Sequence, residues 1–273
     1  MSQASKKMKF RFSRKQLCIP YGLFMLLFVV LPLLLIVYYA FTDKETGQFT
    51  FNNFVTVFSS GSNFQVIGMS FIVGGLNTLF CLLIGYPIAY LLANSKFNKN
   101  KVLVYLFIIP MWINFVIRTI ATRDLLEFIG ISSSNEPLLA TVIGMVYNYL
   151  PFAILPLYTT MLKLDKSQIE AAYDLGANPF INFVKVIFPM SLPGVISAIM
   201  MTFMPTMSSY IIADKLGGGK TTLIGNLIAN YFGGFSNYNV GSVISLLMLV
   251  MIGISVLLTK GKSNQKEVRG KLW

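Results

Sequence analysis

Gly217-Gly218-Gly219-Lys220-Thr221-Thr222 holds the residue types that grip a nucleotide: glycines that bare main-chain N–H groups, a lysine for phosphate charge and a hydroxyl for magnesium. The spacing does not complete the motif. A phosphate loop needs glycine five residues before the Gly-Lys pair's glycine, and Asp214 stands there. The run reads instead as a flexible glycine turn at a helix exit. The chain is therefore expected to hold no cofactor.

Other reactive groups are sparse. Histidine is absent, so no serine has a histidine base and an imidazole metal site is excluded. The two cysteines, Cys18 and Cys81, lie inside apolar runs and read as buried, inert thiols. The ten acids (Asp43, Glu45, Asp124, Glu127, Glu136, Asp165, Glu170, Asp174, Asp214 and Glu267) fall in loops or at helix ends. An intramembrane aspartyl protease, which needs two acids at mid-membrane, is not supported. A membrane enzyme is thus a poor reading, and transport, channel and scaffold roles stay open.

The segment Asp165–Gly194 carries most of the local information. Asp165 is placed to cap a helix, with Gln168 three residues on to close a capping box. Gly176 fits the stop. Asn178 is placed to cap a second helix with Pro179 at its first position, and Pro189 is expected to end it. Phe180, Phe183, Val184 and Ile187 share one face of that second helix. On the first helix Lys166, Glu170 and Asp174 form a charged stripe beside a small, flat surface of Ile169, Ala172 and Gly176. Such a helix suits a partner's groove. It suits the bilayer surface less, because its apolar face is small and it has one lysine.

These elements must be positioned by a membrane fold. Hydrophobic residues make up 55% of the 273 and charged residues 12%, with a mean hydropathy of +0.68. A soluble surface needs about twice that charge. Six spans are predicted, near residues 17–41, 66–93, 102–121, 138–162, 190–213 and 240–259, each able to cross roughly 30 Å of hydrocarbon. The uncharged stretch from Gln16 to Thr42 is longer than a signal peptide's apolar core and is expected to be a retained anchor. Basic residues crowd the tail 1–16, the loop Asn94–Lys101, the loop 163–189 and the tail 260–273, seventeen of the 22 in all. The positive-inside rule puts these segments and both termini in the cytoplasm of a multi-pass cell-membrane protein. With the net charge of +12 in tracts between apolar runs, the partner is lipid and not nucleic acid. Pro32, Pro87, Pro110, Pro151, Pro156 and Pro205 read as kinks, or as bends along a path that opens. Gly74-Gly75 and Gly85 allow close helix contact.

Glu170-Ala171-Ala172, Gly176 four residues after Ala172, and Val186-Ile187-Phe188-Pro189 closely resemble the EAA loop of permease subunits of type I ABC importers. The resemblance implies the all-α, MetI-like permease fold, and a loop that docks into a cytoplasmic ATPase dimer, which would hold the ATP and magnesium. It also implies a second permease subunit and an extracytoplasmic substrate-binding protein. By carry-over, Glu170, Ala171, Ala172, Asp174 and Gly176 are the coupling residues. Ile109-Pro110-Met111-Trp112 with Ile117-Arg118-Thr119, Asp174-Leu175-Gly176-Ala177, and Leu216–Thr221 with Ile224–Ile228 are similar to the polyamine (spermidine/putrescine) branch. Ser208-Ser209-Tyr210 and Ile212-Ala213-Asp214 match that branch's acid-and-proline pattern only loosely. A permease for another small solute is the alternative.

A polyamine is an apolar chain with ammonium groups, so its passage needs carboxylates and aromatic faces. The candidates are Trp112, Asn114, Tyr147, Asn148, Tyr149 and Tyr210, with Asp124, Glu127 and Asp214 near the external face. Each aromatic also fits an interface anchor or a packing residue. Arg118 suits a cation path only if it pairs with an acid such as Glu127.

Overall fold

A computed structural model describes residues 14–94, 102–235 and 237–270, and the loop 95–101 and both chain ends lie outside the described residues. The described chain is helical apart from turns and one bridge between Thr42 and Phe49. α1 (Arg14–Met25), a π turn (Leu26–Val30) and α2 (Leu31–Ala40) run on as the first span. The short α3 (Asn52–Ser59) precedes the long α4 (Gly61–Ala93). α5 (Leu103–Ile108), a 3₁₀ turn (Ile109–Trp112) and α6 (Phe115–Phe128) follow, then α7 (Pro137–Met161). α8 (Lys166–Asp174), α9 (Pro179–Asn182), a π turn (Phe183–Ile187) and α10 (Phe188–Ser208) form the next stretch. α11 (Tyr210–Gly217), α12 (Ile224–Phe232) and α13 (Tyr238–Gly270) complete the chain.

Five helices among the described residues are long and apolar enough to cross a bilayer, and counting one bent pair as a single span gives six. Three of them, α4, α7 and α10, pack together as the core. Small residues set their approach. A Cβ at Gly74 would touch the Phe203 ring at 3.0 Å, and one at Gly85 would meet Ile154 at 3.4 Å. Gly75 faces open space, so the close contact belongs to Gly74 alone of that pair. Buried polar groups cross-link α4 to α10: Asn77 Nδ2 donates to Thr206 Oγ1 at 2.6 Å, and Thr202 Oγ1 to Thr78 Oγ1 at 3.2 Å. In a water-free layer such groups must find partners inside the protein. Cys81 is buried and free as expected, while the Cys18 side chain lies outside the described residues. The first span is only 6% buried, which leaves its leucines and phenylalanines for lipid or another subunit.

Two spans differ from the sequence expectation. The third is not one rod over 102–121. Its halves, Leu103–Trp112 and Phe115–Phe128, meet at 102°. Ile113 is extended (ψ 139°), and Asn114 Oδ1 accepts the Val116 and Ile117 N–H groups, so a new helix starts there. The fifth span starts at Pro179 and stops at Ser208, not at 190 and 213. Pro189 does not end the preceding helix. It follows a π turn and sits in the first turn of α10, where its missing N–H is tolerated. Ser209 is extended (ψ 99°), and α11 begins anew.

Candidate functional site

The loop between α7 and α10 is built from short-range capping. Asp165 Oδ1 accepts the Ser167 N–H at 3.0 Å and the Ser167 hydroxyl at 2.7 Å. These bonds hold the exposed Asp165 carboxyl below the usual carboxylate range, the Ser167 hydroxyl contributing most. The expected reciprocal box does not close. Gln168 Nε2 donates to the Asp165 carboxylate at 3.4 Å, while Ser167 supplies the donors that Asp165 needs.

Gly176 ends α8 with φ +82°. The Ala177 N–H reaches Ala172 O at 3.0 Å and the Gly176 N–H reaches Tyr173 O at 2.9 Å, which is a Schellman stop. Asn178 Oδ1 then accepts the Ile181 N–H at 2.8 Å, and Pro179 opens α9 as expected.

The second helix clasps the first. The buried Asn182 donates from Nδ2 to Ile169 O at 3.1 Å. Ile169 and Ala172 are half-buried, so only part of the flat surface expected to meet a partner is free. Lys166, Glu170, Ala171, Tyr173, Asp174 and Leu175 remain exposed, Leu175 at 89%. Nor do Phe180, Phe183, Val184 and Ile187 bury one common face: Ile187 is buried while Phe180 and Val184 are exposed, because the π turn rotates the register. Between α8 and the foot of α10 lies an open groove of about 480 Å³ lined by Gln168, Ala171, Ala172, Leu175, Lys185, Val186, Pro189 and Met190.

The loop is joined to the core through aromatics. Tyr86 on α4 meets Phe183 edge-on at 5.6 Å between ring centres, and Tyr90 meets the same ring at 6.2 Å. The Tyr86 hydroxyl lies 2.7 Å from Ser191 Oγ on α10. Tyr86 thus touches both the π turn after α9 and the α10 helix. Asn182, Tyr86 and Phe183 went unread in the sequence as site residues. The one signal was an isolated amide in an apolar helix turn.

The pathway candidates are less gathered. Trp112 is 87% exposed at the elbow of the third span, and Asn114 serves as the cap there. Asn148 is buried on α7, its amide donating to Gly144 O at 2.8 Å. Its Oδ1 accepts Arg118 Nε at 2.7 Å, and Arg118 Nη1 donates to Pro110 O at 2.8 Å. The guanidinium stands 5.8 Å from the Tyr147 ring centre. Arg118 therefore does not pair with Glu127, whose carboxylate lies 3.9 Å from Arg123, as Asp124 lies 2.9 Å from the same side chain. Amide and carbonyl dipoles surround Arg118 instead. Tyr149 is buried and donates to Pro205 O at 3.2 Å, a packing role. Tyr210 is exposed, its carbonyl accepting from Asn226. Asp214 is exposed and paired with Lys215 at 3.0 Å. The glycine run is a turn with Gly218 and Gly219 at positive φ, and Lys220 Nζ donates to Ser134 O across the neighbouring loop.

Comparison with known proteins adds to this geometry. A family described as "binding-protein-dependent transport system inner membrane component" matches residues 85–261. The spermidine/putrescine transport system permease protein PotB of Haemophilus influenzae is 34% identical over 251 residues, 85% of this chain and 87% of that protein. A solved bacterial ABC transporter involved in the import of the acidic polysaccharide alginate superposes with a TM-score of 0.70 at 14% identity, over 92% of this chain and 94% of the other. The MetNI methionine ABC transporter, in an inward-facing conformation, gives 0.52 at 19% identity, over 76% and 98%. At these identities the two structures bear on the fold alone.

Proposed function

The chain belongs to the binding-protein-dependent transport system inner membrane components: it is a multi-pass permease subunit of an ABC importer with no ATPase site of its own, and we propose that its cargo is a polyamine, spermidine or putrescine. The observation that carries the cargo is the 34% identity with a spermidine/putrescine permease along 85% of the chain. The candidate passage residues add modest support. Trp112, Tyr147 and Tyr210 offer partly or largely exposed rings, each able to contribute about 0.5–2 kcal/mol to an ammonium group. Asp214 carries a carboxylate at an exposed helix end.

An ATPase dimer meets the loop 163–189 from the cytoplasm, a second permease completes the passage, and a binding protein delivers cargo from outside. Residues 17–259 form the permease domain between two basic cytoplasmic tails. In the coupling step the ATPase engages Glu170, Ala171 and Asp174 on the exposed side of α8, whose end is fixed by Gly176. Ala172, half-buried, passes that force to α9. Movement of α8 relative to the groove beside α10 then biases the core between inward- and outward-open states.

The test is uptake into proteoliposomes holding the complete complex. Saturable, ATP-driven accumulation of labelled spermidine or putrescine, uncompeted by sugars and anions, is expected. Asp214→Asn and Trp112→Ala should each reduce spermidine uptake with ATPase assembly intact. Transport of another solute and not of polyamines by the unaltered complex would overturn the cargo assignment. Unchanged uptake in both variants would remove these residues from the passage.

A further inference from the structure

The bent third span and the helix that follows the fifth meet on one turn of α7. The guanidinium of Arg118, in the first turns of α6, reaches back across the elbow to Pro110 O and sideways to Asn148 Oδ1, and Asn148 is tied to Gly144 O. Gly144 is also the seat of α11, because a Cβ there would collide with the Leu216 side chain. α11 is the segment that restarts after the break at Ser209. The turn Gly144–Asn148 therefore receives the elbow of the third span through hydrogen bonds and α11 through a close apolar contact.

We infer that Arg118 is a positioning residue, a latch that holds the elbow of the third span closed against Asn148. The residues at the break explain why a latch is required. Ile113 is extended and Asn114 starts a fresh helix, so no continuous ladder of helix hydrogen bonds fixes the angle between the halves. Arg118 supplies the missing tie. Its planar fork presents donors in two directions, which a lysine's compact ammonium does not reproduce. It is buried to 6% exposure, and no carboxylate within ion-pair distance of it is found among the described residues. Its contacts are therefore made to fixed dipoles of α7 and the elbow, not to a mobile counter-charge. Releasing the latch frees the elbow that carries Trp112 and lets the passage change shape without the ATPase stroke.

The transport consequence rests on the polyamine-importer reading; the geometry does not, and the experiment separates them. Spin labels are placed at Leu106 and Leu125, both exposed, one on each side of the elbow, in a Cys18→Ala, Cys81→Ala background. A straight helix would hold these sites about 29 Å apart at about 1.5 Å per residue. The latched elbow gives one narrow distribution well below that. Arg118→Met and Asn148→Leu should each broaden it toward longer distances and raise ATP hydrolysed per cargo imported severalfold. The double variant should be no worse than either single. Asn148→Asp, which keeps the acceptor, should retain the narrow distribution and serves as the folding control. Unchanged distributions in Arg118→Met and Asn148→Leu, or additive effects in the double variant, would overturn the latch. Broadened distances in a complex that carries no polyamine would keep the latch and overturn the cargo.

Discussion

Replacing Gly176 separates two demands that the loop places on one residue. Its φ of +82° lies in the left-handed region, and a Cβ built there meets nothing within 4 Å. In the chain by itself a side chain at 176 therefore costs conformational energy and not a clash. The left-handed conformation penalises an L-residue by about 1–2 kcal/mol. The less flexible unfolded chain returns about 0.4–1 kcal/mol. The net is about 1 kcal/mol, or about fivefold in opening of the α8 terminus.

Gly176→Ala and Gly176→Leu should then loosen the stop equally. Hydrogen exchange at the Gly176 and Ala177 amides, which close the stop on Tyr173 O and Ala172 O, should quicken about fivefold in both. Gly176→Asn, better tolerated in this region, should quicken less. Affinity for the ATPase and ATP-driven uptake should fall further in Gly176→Leu than in Gly176→Ala if the partner packs on this point. The assay is exchange mass spectrometry on the purified chain in nanodiscs, followed by ATPase titration. Wild-type exchange at both amides in Gly176→Ala would refute the conformational argument. Faster exchange in Gly176→Leu than in Gly176→Ala, without the ATPase, would refute the claim that the site is open.

Glu170→Lys reverses charge on the exposed stripe of α8, and it should abolish ATP-driven uptake while the chain still inserts and its exchange pattern is unchanged. The Asp165 carboxyl is depressed in the folded loop, so its contribution is fully present above the ordinary carboxylate pKa of about 3.9 and is lost only as pH falls through the lower folded value. Exchange protection of α8 should therefore be flat from pH 7 to pH 5 once corrected for intrinsic rates, and Asp165→Ala should lower it at every pH. For orientation, Ser134→Cys, on the loop expected outside, should react with an impermeant thiol reagent added to whole cells. Ser167→Cys should react only after permeabilisation. The opposite pattern would invert the topology.

The apolar runs and the short-range stops are legible in the sequence because both are local. A span is visible wherever about twenty residues lack charge. The ends of α8 and α9 follow from Asp165, Gly176 and Asn178, whose partners lie two to five residues away. The MetI-like fold was readable for the same reason, since the signature that implied it lies within about 25 consecutive residues. Tertiary structure decided what distant partners decide. Arg118 meets Asn148 thirty residues away, and nothing in the spacing of acids told it apart from an ion-paired arginine, so Glu127 was the natural but wrong partner. The elbow at Ile113 depends on an asparagine that caps a helix inside an apolar run, where Asn114 by itself reads as a polar lining residue. Pro189 looked like a terminator because a proline removes an N–H. The π turn before it lets the helix run from Pro179 to Ser208 unbroken. The exposed side of α8 is likewise a tertiary fact. Periodicity gives a helix its faces, but packing against the following helix, which carries Asn182, turns Ile169 and Ala172 inward and leaves Glu170 and Leu175 exposed.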